Sequence, residues 1–270
     1  MRYSDTVRKL REFFQGEKGF SEVHTQSRLS ILAACEDPKT IGTFIWDGTV
    51  YPLPQTGQMQ LEHELLNNPD EKGFFCISTS YRNEPNPIDG RHEKIFPMFE
   101  FESHGGMLDM DWLEIELLEY LDFDVNVNLD YEDIASKYQA EILEAEHEER
   151  MQRDYGDVIS LQGFPKRTHP FWNMKHAGHG VYNKIDVILY GQETIGSAER
   201  SCNVDEMKDQ FYTISNGEYA DILFKHFGKE RVEKELEDYL SLDMIPRFGG
   251  GIGVTRMNRA LSLKSGDEND

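Results

Sequence analysis

Long apolar runs are missing from this chain. Its 270 residues hold no stretch of about 18 apolar residues, the length a membrane-spanning helix needs. The amino end, MRYSDTVRKLREFF, is too charged for a secretory signal, so a cytoplasmic location is the expectation. Cysteine is scarce as well. Cys35, Cys76 and Cys202 are few, odd in number and unevenly spaced, which suggests neither a disulfide framework nor a Cys-rich zinc site. Basic charge is the third shortage: 28 Lys and Arg stand against 50 Asp and Glu, a formal charge of -22. Such a surface repels a polyphosphate, so extensive nucleic-acid binding is not expected. A small anion is a different case, because a few inward-facing cations in a cleft suffice to hold it.

Against that background, the stretch YRNEPNPIDGRHEKIFPMFEFE, residues 81 to 102, stands out. It concentrates Arg82, Arg91, His92 and Lys94 around a Gly/Pro-broken loop. FFCISTSYR before the loop and KIFPMFEFES after it alternate as two antiparallel strands. Arg82 and Glu84 are two residues apart and share a face, as do Phe96, Met98, Glu100 and Glu102 on the return. An Arg for phosphate, a ring for a base and an acid for an amine converge in such a hairpin.

Further along, DVILYGQETIGSAER sets Asp186 and Glu193 on two strands across a Tyr-Gly turn, with Arg200 beyond them. Two carboxylates so placed suit Mg²⁺ beside nucleotide phosphates. FGGGIGVTRM then places Gly249, Gly250, Gly251 and Gly253, read as a glycine-rich turn, before a helix with Arg256 in its first turn. Val7, Leu10, Phe13 and Phe14 predict an amino-terminal helix followed by a strand, FSEVHT. Residues 111–154 read as two helices, the second with acidic outer faces. Two helices follow residue 202, over NVDEMKDQFYTI and EYADILFKHFGKERVEKELEDYLS. The fold expected is α+β, an antiparallel β-sheet flanked by helices.

In this order, the segments VRKLREFFQGEKGFSEVHTQ, YRNE…FPMFEFE and GGGIGVTRM resemble motifs 1, 2 and 3 of the class II aminoacyl-tRNA synthetase catalytic domain, in the aspartate/asparagine/lysine branch. The resemblance implies activation of a carboxylate with ATP and Mg²⁺ to an acyl-adenylate, within a homodimer. By that resemblance Arg82 meets the α-phosphate, Glu84 the adenine amine and Phe96 the adenine ring. Arg256 covers the opposite face and the γ-phosphate, Gly253 lies against the nucleotide, and Arg91 or His92 meets the outer phosphates. Asp186 and Glu193 hold the metal. Gln58 and Glu100 take the amino acid's α-amino group, Arg200 grips its side-chain oxygen, and His169 lines the pocket. Gln26 stands where motif 1 usually carries Pro.

Leu61 occupies the place of a Lys in aspartate-activating relatives, and QMQLE resembles the asparaginyl-tRNA synthetases. Glu62 and Arg200 would there form an acceptor and donor pair for a carboxamide. The expected organisation is one catalytic domain over residues 1–264, with a helical insertion near 111–154 and a frayed tail over 265–270. With the motif 1-like segment starting near residue 7, no anticodon-binding domain is expected and tRNA binding is not expected. The chain thus resembles free-standing paralogues of the branch, chiefly ammonia-dependent asparagine synthetases. Aspartate conversion to asparagine with ammonia is the first expectation. The alternative is an asparaginyl-tRNA synthetase-like domain activating asparagine, or a related amino acid, for another acceptor. A non-catalytic scaffold would have no need of the full phosphate and metal set.

Overall fold

Apolar residues at helical spacing bury one side of α1 (Tyr3–Arg11), which runs into a wider π-helical turn over Glu12–Glu17. Phe14 from that turn is fully buried, its ring 4.9 and 5.0 Å from those of Phe99 and Phe101. The computed structural model describes residues 2–27, 29–33, 38–88, 90–91 and 93–266. His92, Cys35 and the last four residues of the tail lie outside the described residues.

The strand expected over FSEVHT is confined to β1 (Ser21–Glu22). A separate hairpin of β2 (Thr43–Trp46) and β3 (Thr49–Pro52) leads into α2 (Gln58–Asn67), then β4 (Gly73–Tyr81) and β5 (Ile95–His104). After α3 (Met107–Tyr120), the stretch between the two helices expected over residues 111–154 contains a strand, β6 (Val127–Asp130). The helix expected next is two, α4 (Tyr131–Tyr138) and α5 (Ala145–Tyr155). Asp130 starts α4 by accepting from the Glu132 and Asp133 N–H groups at 2.9 and 3.2 Å, and Gln139 ends it in a left-handed conformation, φ 56°.

Then follow β7 (Val158–Pro165), β8 (His176–Gly178), β9 (Val181–Leu189) and β10 (Gln192–Glu199). α6 (Val204–Thr213) comes next, and the final long helical segment is divided into α7 (Glu218–Phe227) and α8 (Lys229–Leu240). Gly228, at φ 85°, breaks it. The glycine run is not a turn. It is β11 (Arg247–Gly253), and α9 (Val254–Ser265) starts directly from its end.

The main sheet runs β1-β4-β5-β11-β10-β9-β7-β6, with β8 added on β9. All neighbours from β4 to β7 are antiparallel, while β1 on β4 and β6 on β7 are parallel. The sheet is therefore mixed, with an antiparallel centre and parallel margins. One face carries Phe75, Phe99, Phe101, Ile185, Val187, Ile195 and Ile252 into a core closed by α1, α3 and α9. A second core forms around Trp172 from α6, α7 and α8, with Met59 and Leu66 of α2.

One buried acid in the first layer has a measurable consequence. Glu114 of α3 is 2% exposed and accepts from Ser197 Oγ at 2.5 Å, while its Oε2 has no hydrogen-bond partner. Burial pushes its carboxyl from 4.5 up to about 8. A carboxyl kept protonated in the fold contributes stability that is full below its unfolded value and is lost as pH rises through the folded one. Glu114→Gln carries no such proton. Its stability relative to the parent is expected to rise between pH 4.5 and about 8 and to level off above. Urea melts at pH 5, 7 and 9 would read this, and a constant difference would count against it.

Candidate active site

Strand alternation builds a cavity of about 460 Å³ on the face opposite the α1, α3 and α9 core. Phe96, Met98 and Glu100 of β5 line it, whereas Phe99 and Phe101 point the other way. β11 forms its floor, with Gly249 opposite Glu102, Gly251 opposite Glu100 and Gly253 opposite Met98. β10 continues the floor through Ala198 beside Gly249 and Gly196 beside Gly251. The close approach read from the glycines is present, but a strand provides it rather than a turn.

A Cβ at Gly249 would overlap Glu102 Oε2 and the Phe101 carbonyl, and would lie 2.5 Å from Gln58 Nε2. One at Gly251 would lie 2.6 Å from Met98 Cε. Gly249→Ala should therefore cost about 1–3 kcal/mol of stability by overpacking, checked by chemical denaturation. Gly16→Ala, where nothing lies within 4 Å of the added carbon, is the comparison that should behave like the parent.

At one end, Arg82, Glu84, Arg91, Phe96, Glu193, Gly253 and Arg256 all line the cavity. The Arg82 N–H donates to the Lys94 carbonyl at 2.8 Å, extending the hairpin one residue beyond β4. Its guanidinium lies over the Phe96 ring, 5.5 Å from the centroid. Arg256, in the first turn of α9, donates through Nη1 to the Glu193 carbonyl at 2.8 Å and lies 3.9 Å from Glu193 Oε2. Arg91 pairs with Glu148 of α5 and also donates to the Gly191 carbonyl at 3.3 Å.

Beside this end, two carboxylates converge. A point one Cβ above Gly196 is 3.0 Å from Glu193 Oε1 and 3.4 Å from Asp186 Oδ1. Asp186 Oδ2 accepts from Lys184 Nζ at 2.7 Å, but its buried Oδ1 has no hydrogen-bond partner. Burial, opposed by Lys184 and assisted by Glu193, pushes Asp186 up to about 7. An orphaned carboxylate oxygen that shares this space with a second one suits a hard divalent cation, as oxygen ligands do for Mg²⁺. Among the described residues no group of three or more His, Cys, Asp and Glu gathers in metal-holding fashion, so the protein would supply two carboxylates and leave the remaining positions to phosphate and water.

At the other end lies a buried cluster of four charges. Glu62 Oε2 accepts from Arg247 Nε and Nη2 at 3.1 and 2.8 Å and from Tyr239 Oη at 2.6 Å, and Oε1 accepts from Asn173 Nδ2 at 2.7 Å. Arg200 Nη2 donates to Glu102 Oε2 at 3.4 Å, and its Nε lies 3.6 Å from Glu62 Oε1. Burial alone would raise Glu62, but Arg247 and Arg200 outweigh it and hold that carboxyl below its ordinary range. At Glu102 burial dominates and pushes the carboxyl up to about 8. Three buried polar atoms here have no hydrogen-bond partner: Asn173 Oδ1, Arg200 Nε and Glu102 Oε1.

Several expected site residues have partners within the protein. Glu62 lines the cavity and accepts from Arg247, Tyr239 and Asn173, bonds that hold the cluster together. Glu100 lines the cavity, yet it accepts from the Gly57 N–H at 2.8 Å, Ser78 Oγ at 2.6 Å and Thr56 Oγ1. Those bonds fix the start of α2. Gln58, on the first turn of that helix, donates through Nε2 to the Phe101 carbonyl at 3.0 Å and to Glu102. Its amide nitrogen is tied to the floor while the residue still lines the cavity. Leu61 is fully buried with Leu65, Phe74 and Cys76, on the side of α2 away from the cavity.

His169 does line the cavity, on a left-handed residue at φ 52°. Arg247, Asn173, Tyr239 and Glu148 were not anticipated. Arg247 carried one signal, a cation two residues before Gly249, whereas the others sit on elements with no local motif.

Residues 1–265 match the family described as tRNA synthetases class II (D, K and N). No curated protein matches the chain in sequence. Among solved structures, asparaginyl-tRNA synthetase from Pyrococcus horikoshii complexed with asparaginyl-adenylate is similar at TM-score 0.78 and 17% identity, covering 96% of this chain and 64% of that one. Asparaginyl-tRNA synthetase from Entamoeba histolytica follows at TM-score 0.73 and 16% identity, over 96% and 63%. Aspartyl-tRNA synthetase from the same organism has TM-score 0.71 and 18% identity, over 99% and 55%. The chain thus spans less than two thirds of each of these proteins. All three are tRNA synthetases, so the expectation that tRNA is not bound gains no support from them. No helix among the described residues is long and apolar enough to cross a membrane.

Proposed function

Since the chain belongs to the class II tRNA synthetases of the D, K and N group, we propose that it is an AMP-forming ligase that activates aspartate with ATP and passes the acyl group to ammonia, giving asparagine. The observation that carries this reading is a single cavity lined by Arg82, Phe96 and Arg256 at one end and by Arg200, Asn173 and Glu62 at the other, with a side-chain-free glycine floor between them.

In this reading Phe96 and Arg256 hold the adenine between them and Glu84 meets its amino group. Arg82 neutralises the α-phosphate, and Arg91 the outer phosphates. Asp186 and Glu193 hold Mg²⁺, which supplies charge neutralisation on the phosphates. The substrate carboxylate is already a nucleophile and needs no base; one of its oxygens attacks the α-phosphorus and pyrophosphate leaves. Catalysis is then positioning together with charge stabilisation, for which Arg82 and Arg256 are placed before the reaction begins.

The four-charge cluster suits the α-groups of an amino acid. Arg200 Nε is a donor without a hydrogen-bond partner, and Asn173 Oδ1 and Glu102 Oε1 are acceptors without one. An α-carboxylate at Arg200 and an α-ammonium at Asn173 Oδ1 would meet two of these atoms on residues that line the cavity. Ammonia nitrogen then attacks the β-acyl carbon, the bond from that carbon to the phosphate-linked oxygen breaks, AMP leaves, and a proton passes to solvent. The homodimer implied by the motif 1-like segment belongs to this reading.

Incubation with aspartate, ATP, Mg²⁺ and ammonium should give asparagine, AMP and pyrophosphate in equal amounts. ADP and phosphate instead would contradict adenylate formation. Consumption of ATP to AMP with asparagine but not aspartate would favour activation of asparagine for another acceptor.

A further inference from the structure

We infer that Glu148, on α5 and outside all three motif-like segments, is a positioning residue that fixes Arg91 against the phosphate end of the cavity. The inference rests on the adenylate-forming reading above and extends it to a helix that reading does not use.

One carboxylate oxygen makes the connection. Glu148 Oε2 accepts from the Glu193 N–H at 2.6 Å and from Arg91 Nη2. It therefore ties the loop between β4 and β5 to the carboxylate-bearing start of β10. Both partners are sheltered: the Arg91 side chain is 11% exposed and that of Glu148 17%. The Glu193 N–H that Glu148 holds belongs to the residue whose carbonyl accepts from Arg256 at 2.8 Å. Three groups that line the cavity, Arg91, Glu193 and Arg256, are thus joined through one peptide segment and one acid on α5.

The helix itself is held closely. A Cβ on Gly191 would lie 3.2 Å from Glu149 Cα and 2.7 Å from Gln152 Oε1, so the β9–β10 turn tolerates α5 only because residue 191 has no side chain. Gln152 Nε2 also donates to Asp157 Oδ1 at 2.7 Å. Glu148 is consequently presented from a fixed helix rather than from a loop. Arg91, by contrast, lies on a 13-residue connection between β4 and β5 that has no regular secondary structure among its described residues. An acid on a fixed element that pairs with an Arg on an irregular one lowers the entropy lost when that Arg engages a ligand.

The experiment is pyrophosphate exchange into ATP, measured in wild type, Glu148→Ala, Glu148→Gln, Arg91→Ala and the Glu148→Ala/Arg91→Ala pair. The KM for ATP is read separately from kcat. Glu148→Ala is expected to raise the KM for ATP about tenfold with a smaller change in kcat, by removing preorganisation. Glu148→Gln, which keeps an acceptor oxygen, should lie between it and wild type. In the double variant the loss should equal that of Arg91→Ala alone, because the acid acts through the Arg.

Multiplying losses in the double variant would overturn the inference, as would an unchanged KM for ATP in Glu148→Ala. A thermal melt of each variant separates these effects from unfolding, and the isosteric Glu148→Gln keeps the test open if the alanine variant does not fold. Absence of exchange in wild type is a different result: it overturns the adenylate-forming reading, and this inference with it.

Discussion

Replacing Arg82 or Arg256 with alanine is expected to lower adenylate formation by about 10²–10³-fold, the loss typical of one preorganised group that stabilises transition-state charge. Each guanidinium lines the cavity at its nucleotide end, one over the Phe96 ring and one bound to the Glu193 carbonyl. Neither contributes to the apolar cores. The thermal melt should accordingly stay close to that of the parent while exchange of pyrophosphate into ATP collapses. Lysine at either position should recover little, because a point charge replaces a planar fork that both stacks and binds bidentately. A variant with near-parental turnover would overturn the assignment of that arginine.

The second large effect is on stability. Glu62→Ala should cost about 3–5 kcal/mol, as expected when one partner of a buried ion pair is removed and the other is left behind. Arg247 is fully buried, and Glu62 is the acid that holds it by two hydrogen bonds. With Glu62 gone, Arg200 and Arg247 are left facing Glu102 alone. The repulsion that Glu62 exerts on Glu102 is also removed, so Glu102 should ionise at a lower pH than about 8 and recover part of the lost balance. Urea denaturation gives the cost directly. A loss below about 1 kcal/mol, the scale of a surface pair, would mean that the cluster is not the buried network described here.

The parts of the molecule legible in the sequence are those carried by local pattern. The β4–β5 hairpin followed from alternation on both sides of a Gly/Pro loop, and the β9–β10 hairpin from alternation around Tyr190 and Gly191, both at positive φ. The antiparallel centre of the sheet followed from these. Its parallel margins did not, because β1 is two residues long and β6 four, too short for a period to register. The glycine strand was misread for a physical reason. With four of its seven residues glycine, almost no alternation registers, and β11 is held extended by its two neighbours.

At the candidate site, Arg82, Glu84 and Phe96 were singled out by spacing along a hairpin, Glu193 by its place beside a Tyr-Gly turn and Arg256 by its place in the first turn of a helix, and all five line the cavity. Glu62 and Glu100 were found, but their hydrogen-bond partners were not. Those partners come from Asn173, Tyr239 and Arg247 for the first and from Thr56, Gly57 and Ser78 for the second. Several of these contacts join residues more than a hundred positions apart, such as Asn173 with Glu62 and Tyr239 with Glu62. No periodicity or motif in the chain encodes them. Glu148 was hidden differently, as one acid within a run of acids, and only its bonds to Arg91 and the Glu193 N–H distinguish it from a solvated neighbour.

The most direct test of the central claim is exchange of labelled pyrophosphate into ATP by the purified protein with each amino acid in turn and ammonium omitted. Aspartate-dependent exchange that is lost in Arg82→Ala is the result predicted, with asparagine and AMP appearing once ammonium is supplied. No exchange with any amino acid, from protein that is folded by its thermal melt, would contradict it.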